Sequence, residues 1–356
     1  MPASLPRRIL VVGPSWVGDM VMAQTLFSAL KAQHPDCEID VLAPDWSRPI
    51  IERMPEVRAA LSLPFGHGDL RLGERRQQGK ALVGEYDQAI VLPNSLKSAL
   101  LPFWANIPVR TGWRGEMRYG LLNDVRVLDK EKYPLMVQRF VALALAKDAP
   151  VPSLSDITYP HFNVNPSDAD AARMNLGLSQ SLPVMALCPG AEFGPAKRWP
   201  DEHYAALATK QLQEGWQVWI FGSAKDREVA ELIVAQVPEK FRNRVKILAG
   251  QTSLAEAVDL MAQANVVISN DSGLMHIAAA LGRPLVAVYG STSPDFTPPL
   301  AQQMEVVRLG LECSPCFKRE CPLEHLNCLR QLSPDIVFAA VQRLLQDAPQ
   351  PVDWRD

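Results

Sequence analysis

Short runs of β-branched and aliphatic residues recur along the chain in two series, each alternating with helical patterns. The first series is ILVVG (9–13), IDVLAP (39–44) and QAIVLPN (88–94). The second is VMALCPG (184–190), QVWIFGS (217–223), VKILAG (245–250), VVISND (266–271) and PLVAVYG (284–290). Apolar-periodic stretches such as SLAEAVDLMAQA (253–264) and SGLMHIAAALG (272–282) separate them, and Ala23, Leu26, Phe27 and Leu30 share one face after the first run. Strand and helix in strict alternation imply parallel sheets with right-handed crossovers.

The chain has 356 residues, enough for two domains of about 150–180 residues each. A polar, Pro-rich stretch from Asp148 to Pro183 is the expected linker, and an apolar-periodic helix is expected over 334–346. The expected division is 1–165, 166–333 and a C-terminal helix and tail, 334–356. Open parallel sheets bind ligands beyond the carboxyl ends of their strands. The Gly-rich turns after Val12 and Leu187 sit at such ends, so the expected class is α/β: two Rossmann-like, doubly wound domains facing a central cleft.

No apolar run reaches the roughly 20 residues of a membrane helix, and MPASLPRR lacks the apolar core of a secretion signal. A cytoplasmic protein with reduced cysteines is expected. The net charge of −3 divides unevenly, +3 over residues 1–150 and −6 over the remainder. Lys97, Arg110, Arg114 and Arg118 belong to the densest basic stretch, which is either a solvated surface or the seat of an acidic partner. No nucleic-acid module is recognisable, and no nucleic-acid partner is expected.

The turn GPSWVGDM (13–20) has the strand–turn–helix layout of a phosphate cradle but matches neither G-x-G-x-x-G nor the Walker motif. Asp19 stands where an anion would bind. It either favours the helix N-terminus electrostatically or accepts a proton from a substrate hydroxyl. A carboxylate there repels a diphosphate, which assigns any nucleotide to the other domain. In CPGAEFGPAKRWP (188–200), Gly190 allows close backbone approach and Lys197 is a point charge suited to phosphate. In SNDSGLMHIAAALGRP (269–284), Ser272, Gly273 and Leu274 open a helix whose amides can hold a diphosphate, and Asp271 can bond sugar hydroxyls. His276 is either structural or a donor to phosphate. Asp226, or Glu228, is a candidate for a ribose diol.

Cys313, Cys316, Cys321 and Cys328 give C-x2-C-x4-C-x6-C. They can form a structural zinc site, hold an iron–sulfur cluster, stay reduced, or pair locally.

Taken together, GPSWVGDM, LPNSLKSAL (92–100), RTGWRGEMRYGLLNDVRVLDK (110–130), CPGAEFGPAKRWP and NDSGLMHIAAAL resemble the bacterial lipopolysaccharide heptosyltransferases over nearly the whole chain. The resemblance implies a glycosyltransferase B fold, with acceptor on the N-terminal domain and sugar nucleotide on the C-terminal one. It implies inverting transfer of L-glycero-D-manno-heptose from ADP-heptose to the first heptose of heptosyl-Kdo2-lipid A, at the inner face of the cytoplasmic membrane. Asp19 matches the family's base; Lys197, the 272–274 amides and His276 would stabilise the leaving ADP, with no cofactor or catalytic metal required. The basic residues would face Kdo carboxylates and lipid phosphates. A sugar-nucleotide epimerase on the same fold and a non-enzymatic ADP-heptose sensor are the competing readings.

Overall fold

A computed structural model describes residues 8–65 and 69–347. The chain divides between Phe162 and Asn163 into two compact units. The first holds β1 (Arg8–Val12), β2 (Glu38–Ala43), β3 (Val57–Ser62), β4 (Gln88–Val91), β5 (Val109–Trp113) and β6 (Asp124–Arg126). The second holds β7 (Val184–Cys188), β8 (Gln217–Ile220), β9 (Val245–Ile247), β10 (Val266–Asn270), β11 (Leu285–Val288) and β12 (Met304–Val307).

Every strand pair is parallel, and the orders are β3-β2-β1-β4-β5-β6 and β9-β8-β7-β10-β11-β12. Each unit therefore starts at its sheet's centre, winds outward, returns, and winds the other way. This is the Rossmann-like, doubly wound order, with its reversal at β1/β4 and at β7/β10. Register places Val12 beside Leu42 and Val91, and Cys188 beside Ser269.

The central strands are buried on both faces, as helix-covered parallel sheets require. Ile9, Leu10, Val11, Met185, Ala186 and Leu187 have no exposed surface. That continuous apolarity is why the sequence runs coincide with them. Four strands, β3, β5, β6 and β12, fall outside the runs read from sequence. Their sequences VRAALS, VRTGW, DVR and MEVV are short, charged or partly exposed, so apolar patterning does not announce them.

The first helix, Val17–Gln33, buries Ala23, Leu26, Phe27 and Leu30, and also the polar Gln24 and Ser28. Glu56 accepts from Gln24 Nε2 (2.8 Å) and Ser28 Oγ (2.7 Å), and Gln24 also holds the His161 backbone, giving to its O (2.7 Å) and accepting from its N (3.0 Å). This ties down the chain just before it leaves the first unit.

The Pro-rich stretch is not all linker. Asn165 caps a helix at Pro166–Asn175 by accepting from Ser167 N (3.0 Å), and Gln263 Nε2 bonds Ala169 O (2.7 Å) within the second unit. Proline at the first helical position suits a helix start. The last helix, Pro334–Asp347, places Val337, Ala340, Val341 and Leu344 in the second unit's core with Trp199, Tyr204 and Leu207. Among the described residues no helix is long and apolar enough to cross a membrane.

One side chain closes the centre of the second unit. Asn270, at the end of β10, is fully buried; its Nδ2 bonds Pro189 O (2.7 Å), and its Oδ1 accepts from Trp199 N (3.1 Å) and Tyr204 OH (3.0 Å). Removing it orphans buried polar groups that each cost about 1–3 kcal/mol. Asn270→Ala should therefore destabilise the second unit by about 3 kcal/mol or more. Thermal unfolding of the intact chain checks this, and an unchanged melting profile would refute it.

Candidate functional site

At the end of β1 the backbone continues one residue past the strand, with Gly13 N bonded to Leu42 O (2.9 Å). Glycine fits here for space: a Cβ would stand 2.6 Å from Met20 Cε and 3.3 Å from Val41 Cγ1. The chain then turns through Pro14 and Ser15 to Trp16, which caps the first helix in an extended conformation without a side-chain bond. Asp19 lies in the first turn, half-buried, and is not the capping residue itself. The helix dipole favours its charged form there.

Across the reversal, the end of β4 is joined to the loop after β5. Glu116 N bonds Asn94 O (3.0 Å), Glu116 Oε2 accepts from Leu96 N (2.7 Å), and a Cβ on Gly115 would lie 2.3 Å from Asn94 O. Arg118 is 3 % exposed; its guanidinium donates to Pro93 O (2.6 Å) and Trp113 O. Burial lowers its pKa, opposed by Glu116. Arg110 donates to Leu121 O and Ile107 O, both at 2.6 Å. The four expected basic residues thus separate. Arg110 and Arg118 fasten the loop, Arg114 is exposed, and half-buried Lys97 makes one long bond of 3.5 Å to Asp69 O.

In the second unit the ends of β7, β10 and β11 converge on one carboxylate. Asp271 Oδ2 accepts from Lys197 Nζ (2.6 Å) and from Thr292 Oγ1 (2.6 Å). Lys197 and Asp271 side chains are only 14 % and 5 % exposed, so water screens the pair weakly. The Lys197 ammonium also lies 5.0 Å from the centre of the Phe193 ring. Ser272 caps the Gly273–Ala280 helix in an extended conformation, with its Oγ 3.2 Å from Ser269 Oγ. Ser272, Gly273 and Leu274 are partly exposed while the helix behind them is buried, which leaves the N-terminal end open to an anion.

His276 is buried one turn in. Desolvation pushes its pKa from 6.5 down to about 4; Asp271 opposes that shift and Lys197 adds to it. It is neutral near pH 7 and can act only as an uncharged donor.

Gly190 has no room for a side chain, because a Cβ would lie 2.5 Å from the Asp226 carboxylate. Asp226 Oδ2 accepts from Ser223 N (2.9 Å) and Oγ (2.8 Å), closing the turn after β8, and its Oδ1 lies 3.8 Å from Arg198. Sequence reading passes over Thr292 and the side chain of Asn270. The signal for Thr292 is the strand–Gly–Ser–Thr run VYGST, which repeats the strand–Gly pattern of the other turns. Asn270 has no such signal, since its role rests on residues 66–81 positions away.

All six cysteines are unpaired thiols. Among the described residues, no group of three or more His, Cys, Asp or Glu side chains is arranged to hold a metal ion. The structure therefore gives no support to a structural metal at the cysteine cluster.

Residues 75–327 match the profile of "Glycosyltransferase family 9 (heptosyltransferase)". The Escherichia coli K12 protein named "Lipopolysaccharide heptosyltransferase 2" is 54% identical over 346 residues, 95% of this chain and 98% of its own length. The Salmonella typhimurium protein of the same name is 51% identical over 348 residues, 96% of this chain and 99% of its own. The solved E. coli ADP-heptose lps heptosyltransferase II superposes with a TM-score of 0.85 at 48% identity, covering 95% of this chain and 98% of that one. Two doubly wound units of this order, with that likeness, are the glycosyltransferase B fold, and the chain belongs to glycosyltransferase family 9, the heptosyltransferases.

Proposed function

We propose that this enzyme moves L-glycero-D-manno-heptose from ADP-heptose onto the first heptose of heptosyl-Kdo2-lipid A, in lipopolysaccharide core synthesis. The observation that carries the assignment of roles is the contrast of charge at two matching turns. After β1 a carboxylate, Asp19, stands in the first helical turn; at the end of β10, open helix amides lie beside Lys197. The first turn repels a diphosphate and suits a hydroxyl that must lose a proton. The second suits a diphosphate that gains charge as it leaves.

In this reading Asp19 removes the proton from the acceptor hydroxyl as it attacks the anomeric carbon, and one displacement inverts the configuration. Lys197, the amides at Ser272, Gly273 and Leu274, and neutral His276 receive the diphosphate. Asp271 fixes the Lys197 ammonium, whose two remaining N–H donors serve the phosphates. Gly190 makes room for the Asp226 carboxylate, which stands at the neighbouring turn for the ribose. No metal is required by this electrostatics. Lys97 and Arg114 face the acidic groups of the acceptor, while Arg110 and Arg118 hold the loop that carries Arg114. The acceptor is an amphiphile, so the enzyme works as a cytoplasmic protein at the inner face of the cytoplasmic membrane. Family membership favours transfer over epimerisation or sensing.

The test is a transfer assay with ADP-heptose and a defined one-heptose acceptor, with and without EDTA. Transfer only when acceptor is present, insensitive to EDTA, is expected; a changed sugar nucleotide formed without acceptor would point to an epimerase. Asp19→Asn should cut kcat by about 10²–10⁴ with ADP-heptose affinity nearly unchanged. Appreciable residual turnover would remove Asp19 from the role of base.

Lys197→Ala should weaken donor binding and rate together, whereas Lys97→Ala with Arg114→Ala should raise the acceptor KM and leave the donor KM alone. An unchanged acceptor KM would count against the basic pair.

His276 predicts a stability effect at acid pH. Its folded pKa of about 4 lies below the unfolded 6.5, so unfolding takes up a proton between those values. Its contribution is present above pH 6.5, declines as pH falls towards 4, and amounts to about 3 kcal/mol when fully lost. In His276→Gln the loss of stability between pH 6.5 and 4 should be shallower than in the parent. Parallel slopes in the two proteins would show that His276 does not titrate this way.

A further inference from the structure

The cysteine-rich segment belongs to none of the steps above, yet it is fastened to the proposed donor site. Arg319 O accepts from Ala196 N (3.0 Å), and the space where a Gly194 Cβ would sit lies 2.4 Å from the same oxygen. On the other side, Phe317 N bonds Ser291 O (2.7 Å) and Ser314 Oγ bonds Gly290 O (2.5 Å). The segment thus straps together the turn that carries Lys197 and the turn that carries Thr292. These are the two hydrogen-bond donors to Asp271 Oδ2. The Arg319 guanidinium also covers the Phe193 ring at 5.5 Å, the ring that Lys197 approaches at 5.0 Å.

Cys313, Cys316, Cys321 and Cys328 line one pocket together with Ser291 and Ala196. Ser291 is 2 % exposed, and its hydroxyl has no hydrogen-bond partner. The four thiols differ in surroundings. Glu324 (φ 57°) and Leu326 (φ 51°) adopt the left-handed conformation and curl the backbone around Cys321. Glu324 N returns to Cys321 O (3.0 Å), and hydrogen bonding from the backbone of Leu326, Leu323, His325 and Glu324 lowers the pKa of the Cys321 thiol. A tight turn of this kind, with its amides close to the sulfur, favours the charged form of the thiol. Cys328 is the opposite case: burial, reinforced by the other three sulfurs, raises its pKa. The pocket therefore gathers four thiols, with Cys321 favoured as the attacking one over Cys328, the arrangement that allows disulfide exchange.

We propose that Cys321 is a reactive thiol that exchanges with small disulfides and then pairs with another cysteine of its pocket, and that this oxidation loosens the donor-binding turn. In the first step the Cys321 thiolate attacks one sulfur of a disulfide such as glutathione disulfide. A mixed disulfide forms, and one glutathione thiolate leaves and takes a proton from water. In the second, the thiolate of Cys313, Cys316 or Cys328 attacks the Cys321 sulfur and expels the second glutathione. Two protein thiols are oxidised and one small disulfide is reduced to two thiols. The new bond draws in the segment around Arg319, and with it the support of Ala196 and Lys197.

The chemical step and its consequence are tested separately on the full chain. In the reduced protein, limiting iodoacetamide followed by peptide mapping should label Cys321 about tenfold faster than Cys328. Equal labelling of the four cysteines would overturn the proposal. So would a stoichiometric zinc or iron that protects all four until it is chelated. Glutathione disulfide should then yield an intramolecular disulfide containing Cys321, lower ADP-heptose affinity severalfold, and be reversed by dithiothreitol. Cys321→Ser should keep the affinity of the reduced parent and resist the oxidant; Cys328→Ser should still form the mixed disulfide at Cys321. Formation of the disulfide with ADP-heptose affinity unchanged would overturn the coupling. This second arm rests on the donor site proposed above, whereas the labelling arm does not, so the two failures are distinguishable.

Discussion

A parallel sheet whose strand order reverses at its centre cannot cover that centre with a connecting segment. The chain leaves β1 towards one face and leaves β4 towards the other, and β7 and β10 do the same. Beyond the carboxyl ends of those strands a crevice stays open, floored by turns whose backbone must run close to its neighbours. Gly13 and Gly190 both stand where a side chain would collide with the element alongside, Met20 in one case and Asp226 in the other. The fold thus supplies two similar openings, and only the side chains placed around them make them different.

The difference is electrostatic. A helix N-terminus welcomes negative charge whether it comes from the protein or from a ligand. At Val17–Gln33 the protein supplies its own carboxylate, Asp19, in the first turn. At Gly273–Ala280 the acidic residue just before the cap, Asp271, is instead bonded to Lys197 and Thr292. An aspartate near the start of a helix therefore has opposite consequences in the two units. Its position relative to the cap and the partner that holds it decide which.

This bears on what the sequence could reveal. Uninterrupted apolar runs mark strands that helices cover on both faces, so the six central strands β1, β2, β4, β7, β8 and β10 were all legible, as were β9 and β11. Edge strands such as β6, three residues long, are held by backbone pairing and leave little trace in composition. The turns were legible as turns, because glycine at a strand end marks where a side chain would collide with its neighbour, as at Gly13 and Gly190. The basic stretch was legible only as charge. Whether an arginine meets solvent or backbone depends on which carbonyls the fold brings within reach, and Arg118 meets Pro93 and Trp113 for reasons that no local pattern contains. Asn270 is the same case in the second unit, since its partners Pro189, Trp199 and Tyr204 arrive from a distant stretch of chain.

The Lys197–Asp271 pair shows why such distant contacts matter for chemistry. Burying two charges costs several kcal/mol in desolvation, and their attraction recovers it only with good geometry and further hydrogen bonds. Here the further bond comes from Thr292, itself 9 % exposed. A pair of this kind adds little to stability over an apolar substitute, but it fixes a flexible four-carbon chain in one place. An unanchored lysine would lose side-chain freedom worth about 1.5–2 kcal/mol on meeting a phosphate. With the ammonium already held by Asp271, that ordering is complete before a ligand arrives. Preorganised charge is what electrostatic catalysis requires, and the role proposed for Lys197 draws on it through Asp271 and Thr292.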